Sequence, residues 1–276
     1  AFYHGDIAAD IAAAVRGAER NPGAMTVADL ETYEARQRPP VCATYRIHAV
    51  CGMGPPSSGG LTVLQILGLV EYFDIAGEGA NSLAAVHLIA EASRLAFADR
   101  ALFMADSDFT DVPTEGLLDR GYLAERAALI RRDKSMGKAG AGAPPGSNRR
   151  AYAMDGREHG NSTSHLAVVD AAGNAVSFTT SIERAFGSRL MVRGFLLNNQ
   201  LTDFSFEAEH NGEPVANRVE GGKRPRSSMA PSLAFDSDGN LLLSLGSPGG
   251  SRIIGYVTLA LIASLDWQMD AQAAVT

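Results

Sequence analysis

Apolar positions recur at helical spacing along five stretches of the chain. In the first stretch Ile7, Ile11 and Val15 share one face, because side chains three or four positions apart lie together on a helix. Thr26 and Asp29 have the spacing of a capping box, which predicts the start of the second helix. The predicted helices cover residues 6–19, 26–35, 61–73, 81–104 and 253–265.

Short runs rich in β-branched and aromatic residues predict strands, and several are separated by turn sequences. The predicted strands cover residues 41–45, 47–51, 165–170, 175–181, 232–235 and 241–245. Residues 133–162, rich in Gly, Pro, Ser and Asn, are predicted as a flexible linker. The first half is therefore mainly helical and the second half consists of strands closed by a helix, which predicts the α+β class.

Composition and charge exclude several classes of protein. The 276 residues contain 24 Lys and Arg against 31 Asp and Glu, a net charge of −7. This balance argues against nucleic-acid or anionic-membrane partners, since both are negatively charged and bind clusters of positive charge. No apolar run approaches the ~18 residues of a membrane span. Two cysteines and six histidines without HxxxH spacing give no expected metal site.

The two ends of the chain favour a longer parent protein. Ala1 opens the chain without Met and without a signal-peptide pattern. Residues 270–276 form a helix-like run that closes the chain without a stop signal. We therefore expect the chain to be an internal piece of a longer protein.

The usual nucleophile motifs are absent or weak. The chain contains no GxSxG elbow, and Ser135–Lys138 matches SxxK without its companion motifs. Gly246–Arg252 is a glycine-rich turn whose N–H groups suit an oxyanion, although the segment read alone favours a plain flexible turn between a strand and a helix. Ser162, Thr163 and Ser164 form a hydroxyl cluster that contains either a nucleophile or the polar start of a strand. These residues alone leave both interpretations open.

A series of short motifs, each weak by itself, runs along the whole chain in one order. The motifs are Phe2–Gly5, Pro55–Gly60, Ala98–Arg100, Thr163–His165 with Val168–Asp170, Gly173–Val176, Leu197–Gln200 with Asp203–Ser205, Lys223–Pro225 with Ser227–Met229, and Gly246–Arg252. In this order they resemble the gamma-glutamyltranspeptidase (gamma-glutamyltransferase, glutathione hydrolase) family. The order makes the resemblance highly specific.

The resemblance implies an N-terminal-nucleophile hydrolase fold, a four-layer αββα sandwich with two stacked sheets between helical layers. It also implies a precursor that cuts itself between Ser162 and Thr163. Residues 1–162 are then the C-terminal part of a large subunit, and residues 163–276 are most of a small subunit that begins with the nucleophile. A Thr hydroxyl is a weak nucleophile at neutral pH, and its own amine, with a pKa near ~8, can serve as the base.

The same resemblance implies further catalytic roles. Ser181 takes the position of a hydroxyl residue that hydrogen-bonds the nucleophile. Gly249 and Gly250 take the positions of the oxyanion-hole N–H donors. Ser227 and Ser228 are expected to bind the α-carboxylate of a gamma-glutamyl group.

The α-ammonium of that group is expected to bind Gln200 and Asp203. Glu183 takes the position of an Asn that is among the α-ammonium contacts in familiar members of the family, which makes the pocket more anionic. The loop between Asp203 and Lys223 looks short and lacks a Tyr to close the pocket. The arginine that the family uses for the α-carboxylate belongs to an upstream segment outside this sequence.

Two motifs are expected to support the site rather than to act in it. Ser57–Gly60 is predicted to cap a helix and to pack beneath the site. Asp99 and Arg100 are predicted to form a structural ion pair. Cys42 and Cys51 lie on neighbouring predicted strands, and both a disulfide and two free thiols stay open.

The expected function is removal of the gamma-glutamyl group from glutathione or a similar amide, with water or an amino acid as acceptor. No metal or organic cofactor is needed, and the family resemblance implies a periplasmic or extracellular protein. One alternative is an amidase of the cephalosporin-acylase kind acting on glutaryl-type substrates, which Glu183 and the short loop favour. The other is an uncleaved, non-catalytic relative that only binds amino-acid-like ligands.

Overall fold

A computed structural model describes residues 2–147, 152–155 and 162–276. Its helices are Asp6–Arg16 (α1), Val27–Glu31 (α2), Gly59–Val70 (α3), Ile75–Glu78 (α4), Leu83–Phe103 (α5), Thr114–Leu117 (α6), Arg120–Ala127 (α7), Ile253–Leu265 (α8) and Ala271–Val275 (α9). Its strands are Pro40–Tyr45 (β1), His48–Met53 (β2), Ser164–Val169 (β3), Ala175–Thr180 (β4), Met191–Val192 (β5), Phe195–Leu196 (β6), Glu209–His210 (β7), Glu213–Pro214 (β8), Ser232–Phe235 (β9) and Leu241–Leu245 (β10). None of the helices described is long and apolar enough to cross a membrane.

The largest sheet is antiparallel, with strand order β1-β2-β9-β10. Its β1–β2 register places Cys42 opposite Cys51, and the two form a disulfide. The β3–β4 hairpin forms a separate two-stranded sheet that contacts the edge strand β10. Ser177 on β4 joins the two sheets, because its hydroxyl donates to the Leu245 carbonyl at 2.9 Å and accepts from the Ser232 N–H at 3.1 Å.

Helix α3 lies at the centre of the core. It is apolar almost all round because it packs on β1 and β2 on one side and on α5, α7 and α8 on the others. Gly60 lets its first turn press on β2, since a Cβ there would lie 2.6 Å from the Met53 carbonyl oxygen. The close approach fixes the start of α3 against the strand that leads to it.

Two neighbouring charged residues of α5 point in different directions. Asp99 accepts hydrogen bonds from four groups on two helices and a loop: Gln65 of α3, Tyr122 and Arg126 of α7, and the Gly142 N–H. Arg100 instead donates to the hydroxyls of Ser58 and Ser228. The predicted ion pair between Asp99 and Arg100 is therefore wrong, because side chains one position apart on a helix point about 100° apart.

The predicted strands and long helices match the structure closely, whereas the first two helices are shorter than predicted. Helix α1 ends at Arg16 rather than at residue 19, because Gly17 caps it. Helix α2 ends at Glu31 rather than at residue 35, and Thr32 caps it. Helices α6 and α7 were not predicted, since their short apolar pattern is interrupted by Gly116 and Gly121. The predicted linker lies partly outside the described residues, and its described parts, residues 133–147, 152–155 and 162, contain no helix.

We predict that Asp99→Ala destabilises the protein by about 3–5 kcal/mol, because it leaves the Arg126 guanidinium buried without its carboxylate. Urea unfolding measures this loss. Glu125→Ala on the exposed side of α7 is the control and should change stability by less than about 0.5 kcal/mol. Equal losses in the two variants would contradict the role given to Asp99.

Candidate active site

The β3–β4 hairpin sets the geometry around Thr163. Its turn is closed by Asp170, which accepts hydrogen bonds from the Ala172 and Asn174 N–H groups. The resulting register pairs Ser164 with Thr180. Thr163 and Ser181, the next residues outward, therefore lie side by side at the open end of the hairpin.

Ser181 connects the two sides of the peptide bond between Ser162 and Thr163. Its hydroxyl donates to the Ser162 carbonyl oxygen at 2.6 Å. The Thr163 hydroxyl donates to Ser181 Oγ at 3.5 Å, and the Glu183 N–H donates to the same oxygen at 2.8 Å. The Ser181 hydroxyl thus uses its one hydrogen and both lone pairs.

A small, partly open cavity adjoins these atoms. It is lined by Thr163, Ser181, Glu183, Gln200, Asp203, Ser227, Ser228, Met229, Gly250 and Ile253. Eight of these ten are residues that sequence reasoning assigned to the site. Gly249 directly precedes the lining residue Gly250, and Ser162 borders a second cleft on the other side of Thr163.

One wall of the cavity is acidic. Glu183 accepts a hydrogen bond from the Asn199 amide, and Asp203 accepts one from the Gln200 amide. Both carboxylates are buried. Glu183 has φ 73°, which costs a non-glycine residue about 1 kcal/mol. Its backbone holds this conformation while its carbonyl accepts the Ser162 N–H at 3.2 Å.

The Asp203 carboxyl is poised to change charge near neutral pH. Burial, together with the negative charge of Glu183, raises its pKa to about 6, and the Gln200 hydrogen bond and the cations Arg100 and Arg226 limit the rise. The carboxylate is therefore charged above about pH 6 and neutral below it.

The opposite wall carries two hydroxyl groups. Ser227 Oγ accepts the Met229 N–H at 3.1 Å, and Ser228 Oγ accepts from Arg100 Nη2 at 2.7 Å. The Ser57–Gly60 segment supports this wall, because the Ser58 hydroxyl donates to the Ser227 carbonyl at 2.7 Å. Ser58 is the N-cap residue of α3, as predicted, although its own side chain makes no cap bond, and the Ser57 hydroxyl accepts from the Gly59 N–H at 3.4 Å. The predicted packing beneath the site is also observed.

The glycine-rich turn closes the third side. Gly249 and Gly250 have φ of 133° and 58°, values that favour glycine, and they lead into the 3₁₀ turn Gly250–Arg252 and α8. His165 of β3 packs against this turn, because a Cβ on Gly246 would lie 2.3 Å from the imidazole. Burial lowers the pKa of His165, so the ring there is neutral.

Sequence reasoning missed three residues of the site. Met229 and Ile253 line the cavity as apolar groups, and Arg100 lies behind Ser228. Met229 belongs to the Ser227–Met229 motif and Ile253 directly follows the Gly246–Arg252 motif, so the sequence contained a signal for both positions. Among the residues that the structure describes, no group of three or more His, Cys, Asp or Glu is placed to hold a metal ion.

Comparison with known proteins gives the class of the fold first. The chain superposes with a TM-score of 0.82 on a cephalosporin acylase from Bacillus halodurans, at 25% identity, over 99% of this chain and 45% of that one. The α+β class and the N-terminal-nucleophile hydrolase fold expected from the sequence are confirmed.

The family follows from the sequence matches. The gamma-glutamyltranspeptidase family model matches residues 1–276, so the chain belongs to that family, as the motif order indicated. It is 38% identical to a glutathione hydrolase proenzyme of Escherichia coli (strain K12), over 99% of this chain and 46% of the relative. It is 36% identical to the acylase ACY 1 proenzyme of Pseudomonas sp. (strain SE83), over 92% of this chain and 43% of the relative. The chain spans about half the length of the curated relatives it matches.

We predict opposite shifts of the Asp203 pKa in two variants. Glu183→Gln removes a neighbouring negative charge and should lower this pKa, whereas Gln200→Ala removes a hydrogen bond to the carboxylate and should raise it. A carboxyl ¹³C NMR titration of Asp203, assigned by Asp203→Asn, measures both shifts. Shifts of the same sign in the two variants would contradict the described electrostatics.

Proposed function

We propose that this chain is part of a self-processing enzyme that hydrolyses or transfers the gamma-glutamyl group of glutathione and other gamma-glutamyl amides. Thr163 is the nucleophile, and a gamma-glutamyl-threonine ester is the intermediate. The observation that carries the proposal is the cavity beside Thr163, which pairs two carboxylates on one wall with two hydroxyl donors on the other. That arrangement complements an α-amino acid, whose ammonium and carboxylate are attached to one carbon.

The contacts of Ser181 support a route for self-cleavage. Thr163 Oγ1 attacks the Ser162 carbonyl carbon, and the Ser181 hydroxyl stabilises the developing negative charge on the carbonyl oxygen. The C–N bond then breaks, the hydroxyl proton ends on the Thr163 nitrogen, and Ser162 is left as an ester on Thr163. Water hydrolyses this ester and releases a free carboxylate on Ser162 and a free amine and hydroxyl on Thr163.

The freed amine prepares the second reaction. It accepts the Thr163 hydroxyl proton as the oxygen attacks the substrate's gamma carbonyl, and it returns the proton to the leaving amine. Gly249 and Gly250 are proposed to donate N–H groups to the oxyanion. Water or the amino group of an amino acid or peptide then takes the gamma-glutamyl group from Thr163.

The buried charges favour a gamma-glutamyl group over a glutaryl group. A glutaryl group has the carboxylate but lacks the α-ammonium, so Glu183 and Asp203 would stay buried against an uncharged methylene. Similarity to the acylase proenzyme keeps a glutaryl amide as the second candidate substrate. The remaining alternative, an uncleaved ligand-binding relative, leaves the Ser181 bond to the Ser162 carbonyl without a function.

Two subunits from one precursor are the proposed partners within the protein. The relatives are themselves described as proenzymes. We place the protein in the periplasm or outside the cell, because the Cys42–Cys51 disulfide suits an oxidising compartment.

Thr163→Ala is expected to abolish processing. At about 105 Da per residue, cleavage of this stretch gives pieces of 162 and 114 residues, near 17 and 12 kDa, on a denaturing gel. The smaller band should begin Thr-Ser-His by N-terminal sequencing. The variant should remain one band and lose activity.

Ser164→Ala is the matched control and should process normally, because Ser164 belongs to β3 and is one residue from the proposed bond. Normal processing of Thr163→Ala with loss of processing in Ser164→Ala would move the nucleophile to Ser164.

Substrate comparison tests the acyl group. The kcat/KM for gamma-glutamyl-p-nitroanilide should exceed that for glutaryl-p-nitroanilide by at least about 100-fold, since the second lacks the α-ammonium that the acidic wall is proposed to bind. The KM for the gamma-glutamyl substrate should rise as pH falls through about 6, where Asp203 becomes neutral. Asp203→Asn should remove this acid limb. A preference for the glutaryl substrate would establish the acylase alternative instead.

A further inference from the structure

Arg100 is a buried cation that the proposed reaction leaves without a role. Its residue is 4% exposed, and its guanidinium lies between α5 and the wall of the cavity that carries the serine pair. Nε donates to Ser58 Oγ at 2.8 Å, and Nη2 donates to Ser228 Oγ at 2.7 Å. Arg100 therefore contacts a lining residue of the cavity from behind.

The partners of Arg100 differ from those of the other buried arginines nearby. Arg126 pairs with Asp99 at 3.2 Å, and Arg226 pairs with Asp155 at 2.9 Å. The two close contacts of Arg100 are neutral hydroxyl groups. Asp155 and Asp203 balance part of this charge through space without a close ion pair, and an anion in the cavity next to Ser228 would offset more of the cost of burying it.

The hydrogen-bond pattern explains how a charge behind the wall reaches a ligand in front of it. A serine hydroxyl has one hydrogen and accepts through its lone pairs. Arg100 donates to Ser228 Oγ, and the Met229 N–H donates to Ser227 Oγ. Filling these acceptor positions leaves both hydroxyl hydrogens to be donated into the cavity. At Ser228 the donor is a cation, which strengthens the outward O–H as a donor.

We propose that Arg100 is a positioning residue that turns the Ser228 hydroxyl toward the carboxylate of the bound acyl group and strengthens its hydrogen bond to that carboxylate. The inference rests on the proposed function, because it assigns the carboxylate subsite of the same cavity. It makes Arg100 a determinant of specificity for substrates that carry a carboxylate on the acyl side.

The planar fork of Arg100 is essential to this role. Its two nitrogens reach Ser58 and Ser228 together, and Ser58 in turn donates to the Ser227 carbonyl at 2.7 Å. A lysine ammonium is a single point that cannot hold both hydroxyls in this geometry. Arg100→Lys therefore keeps the charge near Asp203 but removes the fixed orientation of Ser228.

Three p-nitroanilides that differ only in the acyl group test the proposal. The gamma-glutamyl substrate has both the ammonium and the carboxylate, the glutaryl substrate has only the carboxylate, and the 4-aminobutyryl substrate has only the ammonium. Arg100→Lys should raise the KM of the gamma-glutamyl substrate about tenfold with kcat within about twofold, because a binding contact is lost. It should lower kcat/KM for the glutaryl substrate about tenfold and change that for the 4-aminobutyryl substrate less than about twofold.

A double-mutant cycle tests whether Arg100 acts through Ser228. In a Ser228→Ala background, Arg100→Lys should add less than about twofold to the KM of the gamma-glutamyl substrate, because the group that it orients is gone. Ser58→Ala, which removes one partner of the guanidinium, should give the same selective pattern at smaller size and provides the test if Arg100→Lys fails to fold. Arg126→Lys on the other side of α5 is the matched control and should show no carboxylate-selective loss.

Two sets of results separate failure of this inference from failure of the proposed function. If the wild-type protein turns over none of the gamma-glutamyl substrate, the proposed function fails. If the wild type is active and Arg100→Lys or Ser58→Ala affects all three substrates equally or none, Arg100 has only a structural role. Additive effects of Arg100→Lys and Ser228→Ala on KM would also overturn the inference.

Discussion

The hydrogen bond from Ser181 to the Ser162 carbonyl is the interaction on which the candidate site depends. It holds the carbonyl group of the proposed cleavage bond beside the Thr163 hydroxyl. Its acceptor is the Ser162 carbonyl oxygen, which would become negative during attack by Thr163. The bond exists because the β3–β4 register places residues 163 and 181 opposite each other. A slip of one residue in that hairpin would turn the hydroxyl groups to the other face of the sheet. The Asp170 turn that sets the register is therefore part of the site's construction, although it lies at the far end of the hairpin.

The second constraint is the burial of charge around a small cavity. Glu183 and Asp203 lie on one wall, and Arg100 lies behind the other. A purely apolar cavity would bind neither the ammonium nor the carboxylate of an α-amino acid, and a cavity with only one charged wall would bind only one of the two groups. The arrangement complements both charges at one carbon, and this complementarity supports the proposal of a gamma-glutamyl rather than a glutaryl substrate.

Sequence patterns predicted most of the fold because the long elements have strong periodicity and clear turns. Helix α8 has the predicted limits, and so do strands β9 and β10, since the turn at Asp236–Asn240 marks them. The short helices α6 and α7 escaped prediction because contacts with α3 and the loop at Gly142, rather than their own sequence, hold them in place.

The order of the motifs also indicated which residues would surround the cavity, although their catalytic roles stay proposals. It did not indicate which way Asp99 and Arg100 would point. Adjacent residues of opposite charge suggest a pair, but on a helix they face different neighbours, and those neighbours come from distant parts of the chain. Ser58 and Ser228, the partners of Arg100, are 42 and 128 positions away from it. Only the tertiary structure brings them to one guanidinium.

The central claim is that Thr163 forms the acyl-enzyme ester. Mass spectrometry of acid-quenched protein after brief exposure to gamma-glutamyl-p-nitroanilide tests it directly. We predict one added gamma-glutamyl group on the peptide that begins at Thr163, sensitive to alkaline hydrolysis as an ester is. Turnover with the added group on any other residue, or a Thr163 still joined to Ser162 in fully active protein, would contradict the account.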